Sequence, residues 1–213
     1  MPNLVNAEYK WEDFQPLDIG NNRIKLRRYF GPISMTAIRF TAFPRTQPPP
    51  EFATSLIGVF QNHSKAIGTL DKDKGLTSDA ILARLAPDLM ALGFLVETSK
   101  SDKGKIKRPV FFGEGGRPDL RYEIDSYHPQ WRCGLEVEAG RAWLGNAIYR
   151  DLIQAMVMVD LDWLALAVPL GYRRNSVGRR VVSRDYDNTC AVANTLFSHD
   201  RVRIPFQLLV IGY

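Results

Sequence analysis

Between residues 121 and 142 the chain reads RYEIDSYHPQWRCGLEVEAGRA, with apolar and polar positions alternating. A period of two predicts two β-strands, 121–127 and 132–139, joined by a turn at His128-Pro129-Gln130-Trp131. It assigns Tyr122, Ile124, Leu135 and Val137 to a core face, and Glu123, Asp125, Glu136 and Glu138 to the opposite face. Residues 147–159 change period: Ile148, Leu152, Ala155, Met156 and Val159 recur at helical spacing, with Tyr149, Arg150 and Gln154 on other parts of the surface. Residues 163–168, WLALAV, are a continuous apolar run, as expected of a strand buried on both faces. A hairpin, a helix and a buried strand in that order predict an α/β fold, a mixed central β-sheet flanked by helices.

The remaining segments fit around this unit. Residues 23–29 alternate basic and apolar side chains like an amphipathic strand, and 33–43 read as a second strand. Pro48-Pro49-Pro50 marks a junction, which leaves 1–50 as an N-terminal extension or subdomain of a single domain spanning 1–213. A helix is predicted at 51–66, with Phe52, Leu56, Val59 and Phe60 on one side and His63 as a surface or capping residue. After a polar loop at 71–75, Thr77-Ser78-Asp79 supplies an N-cap for a helix running to Leu92, with Ile81, Leu82, Leu85 and Leu89 inward. Pro87 is expected to kink or break that helix, and Gly93 to end it. Then come a strand at 94–98, a basic loop at 101–108, a strand at 109–113 and a glycine-rich turn. Residues 172–184 read as a loop, 187–198 as a helix and 204–211 as a final strand.

Charge adds chemistry to this outline. The net charge of the 213 residues is +5, which suits a polyanionic partner. Lys103, Lys105 and Lys107 cluster in one predicted loop, and Arg173, Arg174, Arg179 and Arg180 in another. Both are candidate contacts to a nucleic-acid backbone. Two cysteines provide no disulfide framework, and no apolar run is long enough to span a membrane, so a cytoplasmic protein with no membrane partner is expected. There is no CxxC knuckle, glycine-rich phosphate loop or Ser-His-Asp pattern. On the acidic face, the hairpin register sets Asp125 opposite Glu136 and Glu123 opposite Glu138. Directly opposed like charges, about 5 Å apart, are destabilising. A divalent ion would resolve the repulsion; a solvent-facing hairpin is the plainer alternative.

The order Asp125, Glu136 eleven residues on and Glu138 two further, followed by a helix, resembles the PD-(D/E)xK nuclease superfamily. The third position is usually lysine; glutamate there is similar to the E-x-E variant of BamHI-like type II restriction endonucleases. The resemblance implies an α/β/α sandwich of restriction-endonuclease-like type and an Mg²⁺-dependent endonuclease acting on double-stranded DNA as a homodimer, with Mn²⁺ as a substitute ion. Asp125, Glu136 and the Val137 carbonyl would hold the ion, and Glu138 would position or deprotonate water. Asp119, in a literal Pro118-Asp119, is a second candidate for the first aspartate, and Glu123 an additional acidic group. Competing readings are a non-catalytic nucleic-acid-binding protein on a nuclease-like scaffold, a nuclease acting on RNA or single strands, and a structural calcium site.

Overall fold

The computed structural model describes residues 38–70, 72, 75–140, 146–176 and 179–213. The strand expected at 23–29 lies outside them, as does the start of the one expected at 33–43. The elements are β1 (Arg39–Phe43), α1 (Ala53–Ile67), α2 (Ser78–Leu92), β2 (Leu95–Val96), β3 (Ile106–Phe112), β4 (Pro118–Ile124), β5 (Ser126–His128), β6 (Cys133–Val137), α3 (Ala147–Val157), β7 (Trp163–Val168), β8 (Tyr172–Ser176), β9 (Arg179–Ser183), α4 (Asp185–Ser198) and β10 (Gln207–Gly212). Six strands form one mixed sheet in the order β1-β10-β7-β6-β5-β2. Its centre is parallel, β10 on β7 on β6, and its flanks are antiparallel. β1 is an edge strand of this sheet, so part of the first fifty residues belongs to it.

Strand pleat divides the core in two. Ala165, Ala167, Leu209, Ile211, Leu135 and Val137 pack on one side with Leu56 and Phe60 of α1 and Ile81, Leu85 and Leu89 of α2. Leu164, Leu166, Leu208 and Val210 pack on the other with Ile148 and Leu152 of α3 and Tyr186 and Ala193 of α4. The apolar run at 163–168 is therefore buried on both faces, as its composition predicts. Among the described residues no helix is long and apolar enough to cross a membrane.

Several local expectations hold. Thr77 caps α2 by accepting from the Ala80 amide at 3.3 Å. Gly93 ends that helix in the left-handed conformation, φ 103°. His63 is more than a surface residue, because its Nε2 lies 3.0 Å from Asp88 Oδ2 and ties α1 to α2.

Other expectations fail for identifiable reasons. α2 runs unbroken through Pro87, since the buried stripe of Ile81, Leu85 and Leu89 outweighs the ~3 kcal/mol a helical proline costs. Within 172–184, β8 pairs antiparallel with β9, so most of the expected loop is strand. The basic stretch 101–108 already enters β3 at Ile106, which pairs with β4 in a separate two-stranded sheet. Val159 falls beyond the end of α3 and is exposed. Ile124 belongs to the α3 side of the sheet, not with Leu135 and Val137 on the α1 side.

Ile124 reaches that side by lying over Gly134. A Cβ on Gly134 would stand 2.2 Å from Ile124 Cδ1 and 2.7 Å from Leu161 Cδ1, both in the core. Gly134→Val is expected to destabilise the fold by about 1–3 kcal/mol, roughly 3–10 °C in Tm, measured by thermal unfolding. An unchanged Tm would show that the sheet has slack there.

Candidate active site

The site begins with a broken strand. β5 pairs with β6 through Ser126↔Leu135, Tyr127↔Gly134 and His128↔Cys133. One step further, this register sets Asp125 against Glu136, as the alternation predicts. The ladder stops there. Val137 donates its N–H at 2.8 Å to Asp125 Oδ2 rather than to a backbone carbonyl, and the Asp125 carbonyl accepts the Glu97 N–H, also at 2.8 Å. The chain bends at Asp125, and the predicted strand 121–127 becomes two.

The bend separates the predicted acids. β4 turns away to β3, where Glu123 faces Lys107 and its carboxylate pairs with Lys105. Glu123 is thus not opposite Glu138. Asp119 is exposed, six residues before Asp125 on β4, about 20 Å along an extended strand. Of the predicted acids, Asp125, Glu136 and Glu138 are the ones brought together.

Glu138 is anchored through its backbone. Its N–H donates to the Ala167 carbonyl at 2.9 Å, and its own carbonyl accepts the Tyr213 hydroxyl at 2.5 Å. β6, β7 and β10 all end here, so the carboxylates crown the carboxyl ends of the parallel strands, where ligands bind in open α/β sheets. The start of α4 reaches the same end, since the Tyr186 amide donates to the Pro169 carbonyl at 3.1 Å.

α3 adds two residues that the alternation did not reveal. Its buried face is Ile148, Asp151, Leu152 and Ala155, so a carboxylate fills a core position of the helical stripe. That misplaced acid was the legible signal. Arg150 Nη2 donates to Glu138 Oε1 at 2.8 Å and to Asp151 Oδ1 at 2.9 Å, and its Nε donates to Asp151 Oδ1 at 3.0 Å. The Asp151 side chain is 1% exposed, whereas that of Arg150 is 60% exposed. Asp151 Oδ2 has no donor. The Asp151 and Glu138 carboxyls also lie within hydrogen-bonding reach of each other, and two ionised carboxylates are both acceptors. A proton or a cation must lie between them.

Electrostatics follow from this crowding. Burial pushes the Asp125 carboxyl up to about 6 against the Val137 N–H, with the Glu97 charge adding to the rise. Burial, then the charges of Asp125, Asp151 and Glu138, raise Glu136 well above the ordinary range. Glu138 is pushed up to about 8 by burial and by Asp151, with Arg150 opposing. Asp151 is raised by burial and held back by Arg150. The Arg150 guanidinium thus faces three carboxyls, Glu136, Glu138 and Asp151, while Lys100 acts on Asp125.

No protein-family model and no curated protein matches the chain. Among the described residues, no three His, Cys, Asp or Glu side chains converge as a ready set of metal ligands.

The basic groups divide similarly. Lys105 pairs with Glu123 and Lys107 with Asp102, so both charges are answered within the β3–β4 region. Lys100, nearby, bridges Asp79 and Glu97 at 2.9 Å each. Lys103 is exposed. The β8–β9 hairpin leaves the sheet at the site end: Gly140, φ 47°, packs so closely on Tyr172 that a Cβ would lie 2.7 Å from the ring. Arg173 is exposed on β8, Arg174 lies in the same strand, and Arg179 and Arg180 open β9.

Carboxyls raised in the fold bind protons that the unfolded chain has already released, so stability falls as pH rises. The Asp125 contribution is lost between about pH 4 and 6, and that of Glu138 between about 4.5 and 8. In EDTA, Tm is expected to decline from about pH 5 to 8, and Glu138→Gln to flatten that decline by roughly 1–2 kcal/mol, about 3–6 °C. Parallel Tm–pH curves for the two proteins would contradict the assignment.

Proposed function

We propose that the chain is a metal-dependent endonuclease that hydrolyses phosphodiester bonds in DNA, a type II restriction-type enzyme of the PD-(D/E)xK superfamily in its E-x-E form. The sheet between two helix pairs would then be the restriction-endonuclease-like sandwich. The observation that carries the reading is the gathering of Asp125, Glu136 and Glu138 at the carboxyl ends of the parallel strands, with an arginine-bearing hairpin rooted beside them through Gly140 and Tyr172.

The donor set fits Mg²⁺ or Mn²⁺. All the groups are hard oxygens, Asp125, Glu136 and Glu138 are half-buried and crowded, and the buried Asp151 Oδ2 lacks a donor. Asp125 and Glu136 would hold the ion, and the strand pleat turns the Val137 carbonyl toward the side where its N–H meets Asp125. Bound there, the ion supplies charge stabilisation to a phosphate oxygen.

The chain's own residues do the rest. The Val137 N–H fixes the Asp125 carboxylate, and the Ala167 and Tyr213 contacts hold Glu138 at the end of β6. Glu138, held at the strand end beside Asp125 and Glu136, acts as general base on the attacking water. The water oxygen bonds to phosphorus as its proton passes to Glu138, the P–O bond opposite breaks, and the departing oxygen takes a proton from solvent water. No lysine stands at this position; Arg150 donates to Glu138 Oε1 instead. Arg173, Arg174, Arg179 and Arg180 would meet the duplex phosphates. Two strands to cut call for two copies, hence a homodimer.

Incubation with long duplex DNA and Mg²⁺ or Mn²⁺ is expected to give discrete bands on a gel, abolished by EDTA. Asp125→Ala with Glu136→Ala is expected to lower the cleavage rate at least ~10²-fold. Intact duplex in every lane, from folded protein that still binds DNA, would replace this reading with a binding module. Cleavage confined to RNA or single strands would correct the substrate alone.

A further inference from the structure

Arg150 and Asp151 are adjacent in sequence yet differ in freedom. Asp151 sits in the buried stripe of α3 with Ile148, Leu152 and Ala155, so its carboxylate cannot leave without unpacking the helix. Arg150 is anchored only at its tip, by Glu138 Oε1 and Asp151 Oδ1, and its side chain is 60% exposed. It can swing into water with little loss of packing. The guanidinium supplies one positive charge to Glu136, Glu138 and Asp151, and it leaves the buried Asp151 Oδ2 without a partner. A cation is thus already present at the Glu138–Asp151 pair, and it satisfies that pair incompletely.

We infer that Glu138 and Asp151 form a divalent-cation position of their own, occupied by the Arg150 guanidinium until an ion displaces it. Both cations need the same carboxylate oxygens, so they exclude each other. Asp151 is then a ligand contributed by the helix, beyond the strand residues of the proposed nuclease site. Arg150 is a resident competitor that sets how much free Mg²⁺ or Mn²⁺ is needed to load the position. The inference rests on the nuclease reading only for the choice of ion.

The test is Mn²⁺ binding without nucleic acid, followed by loss of the free-ion electron paramagnetic resonance signal in 0.5 M KCl. Salt at that strength screens exposed surface charges, and the Asp151→Asn comparison separates ligation from the remaining charge effect within the cluster. Arg150→Gln is expected to bind Mn²⁺ at least 10-fold more tightly than the wild type, and Asp151→Asn added to it is expected to erase the gain. Binding by Arg150→Gln no tighter than wild type would overturn the inference, and so would a gain that survives Asp151→Asn. If the double variant does not fold, as circular dichroism would show, the Arg150→Gln comparison decides alone. Wild type and variants binding Mn²⁺ equally would remove this position and leave the nuclease reading standing. No binding by any of them would remove both.

Discussion

One hydrogen bond organises this end of the molecule: Val137 N–H to the Asp125 carboxylate. A buried amide must find an acceptor, and in a continuing ladder it would be the Ile124 carbonyl. The Asp125 side chain takes that place. It thereby ends β5–β6 pairing, frees β4 to turn outward toward β3, and holds a carboxylate beside Glu136. The backbone break and the chemical cluster have the same cause.

The rest of the sheet makes that cluster costly. β6 is flanked by β5 and β7 and covered by helices on both faces, so carboxylates at its end are shielded from water on most sides. Shielding raises their proton affinity, mutual repulsion raises it further, and the exposed Arg150 opposes the rise. Such a site is poorly stabilised by itself and gains from anything cationic that enters. Poor self-sufficiency of this kind is a usual mark of a site built to bind and react rather than to hold a fold together.

The basic surface is arranged on different terms. The lysines of the β3–β4 region are largely absorbed by Asp102 and Glu123, so their charge is local. The arginines are carried by a hairpin rooted where Gly140 lets Tyr172 approach the end of β6. The carboxylates and the root of the β8–β9 hairpin therefore share one end of the sheet.

The sequence by itself determined the elements whose physics is local. These include the doubly buried strand at 163–168, the Thr77 cap and Gly93 stop of α2, and the register that sets Asp125 beside Glu136. Each depends on periodicity or on a single residue's backbone preference. Tertiary structure decided the rest. Period-two alternation assumes that a strand continues, so it placed Glu123 opposite Glu138 and Ile124 beside Leu135; the bend at Asp125 undid both. Glycine within 172–184 read as loop because the sequence does not show that Tyr172 finds Ser183 across a turn. Asp151 was visible as a polar residue at a core position of the α3 stripe. Its meaning depended on which strand end that helix covers, and pairing between segments far apart in the chain decides that.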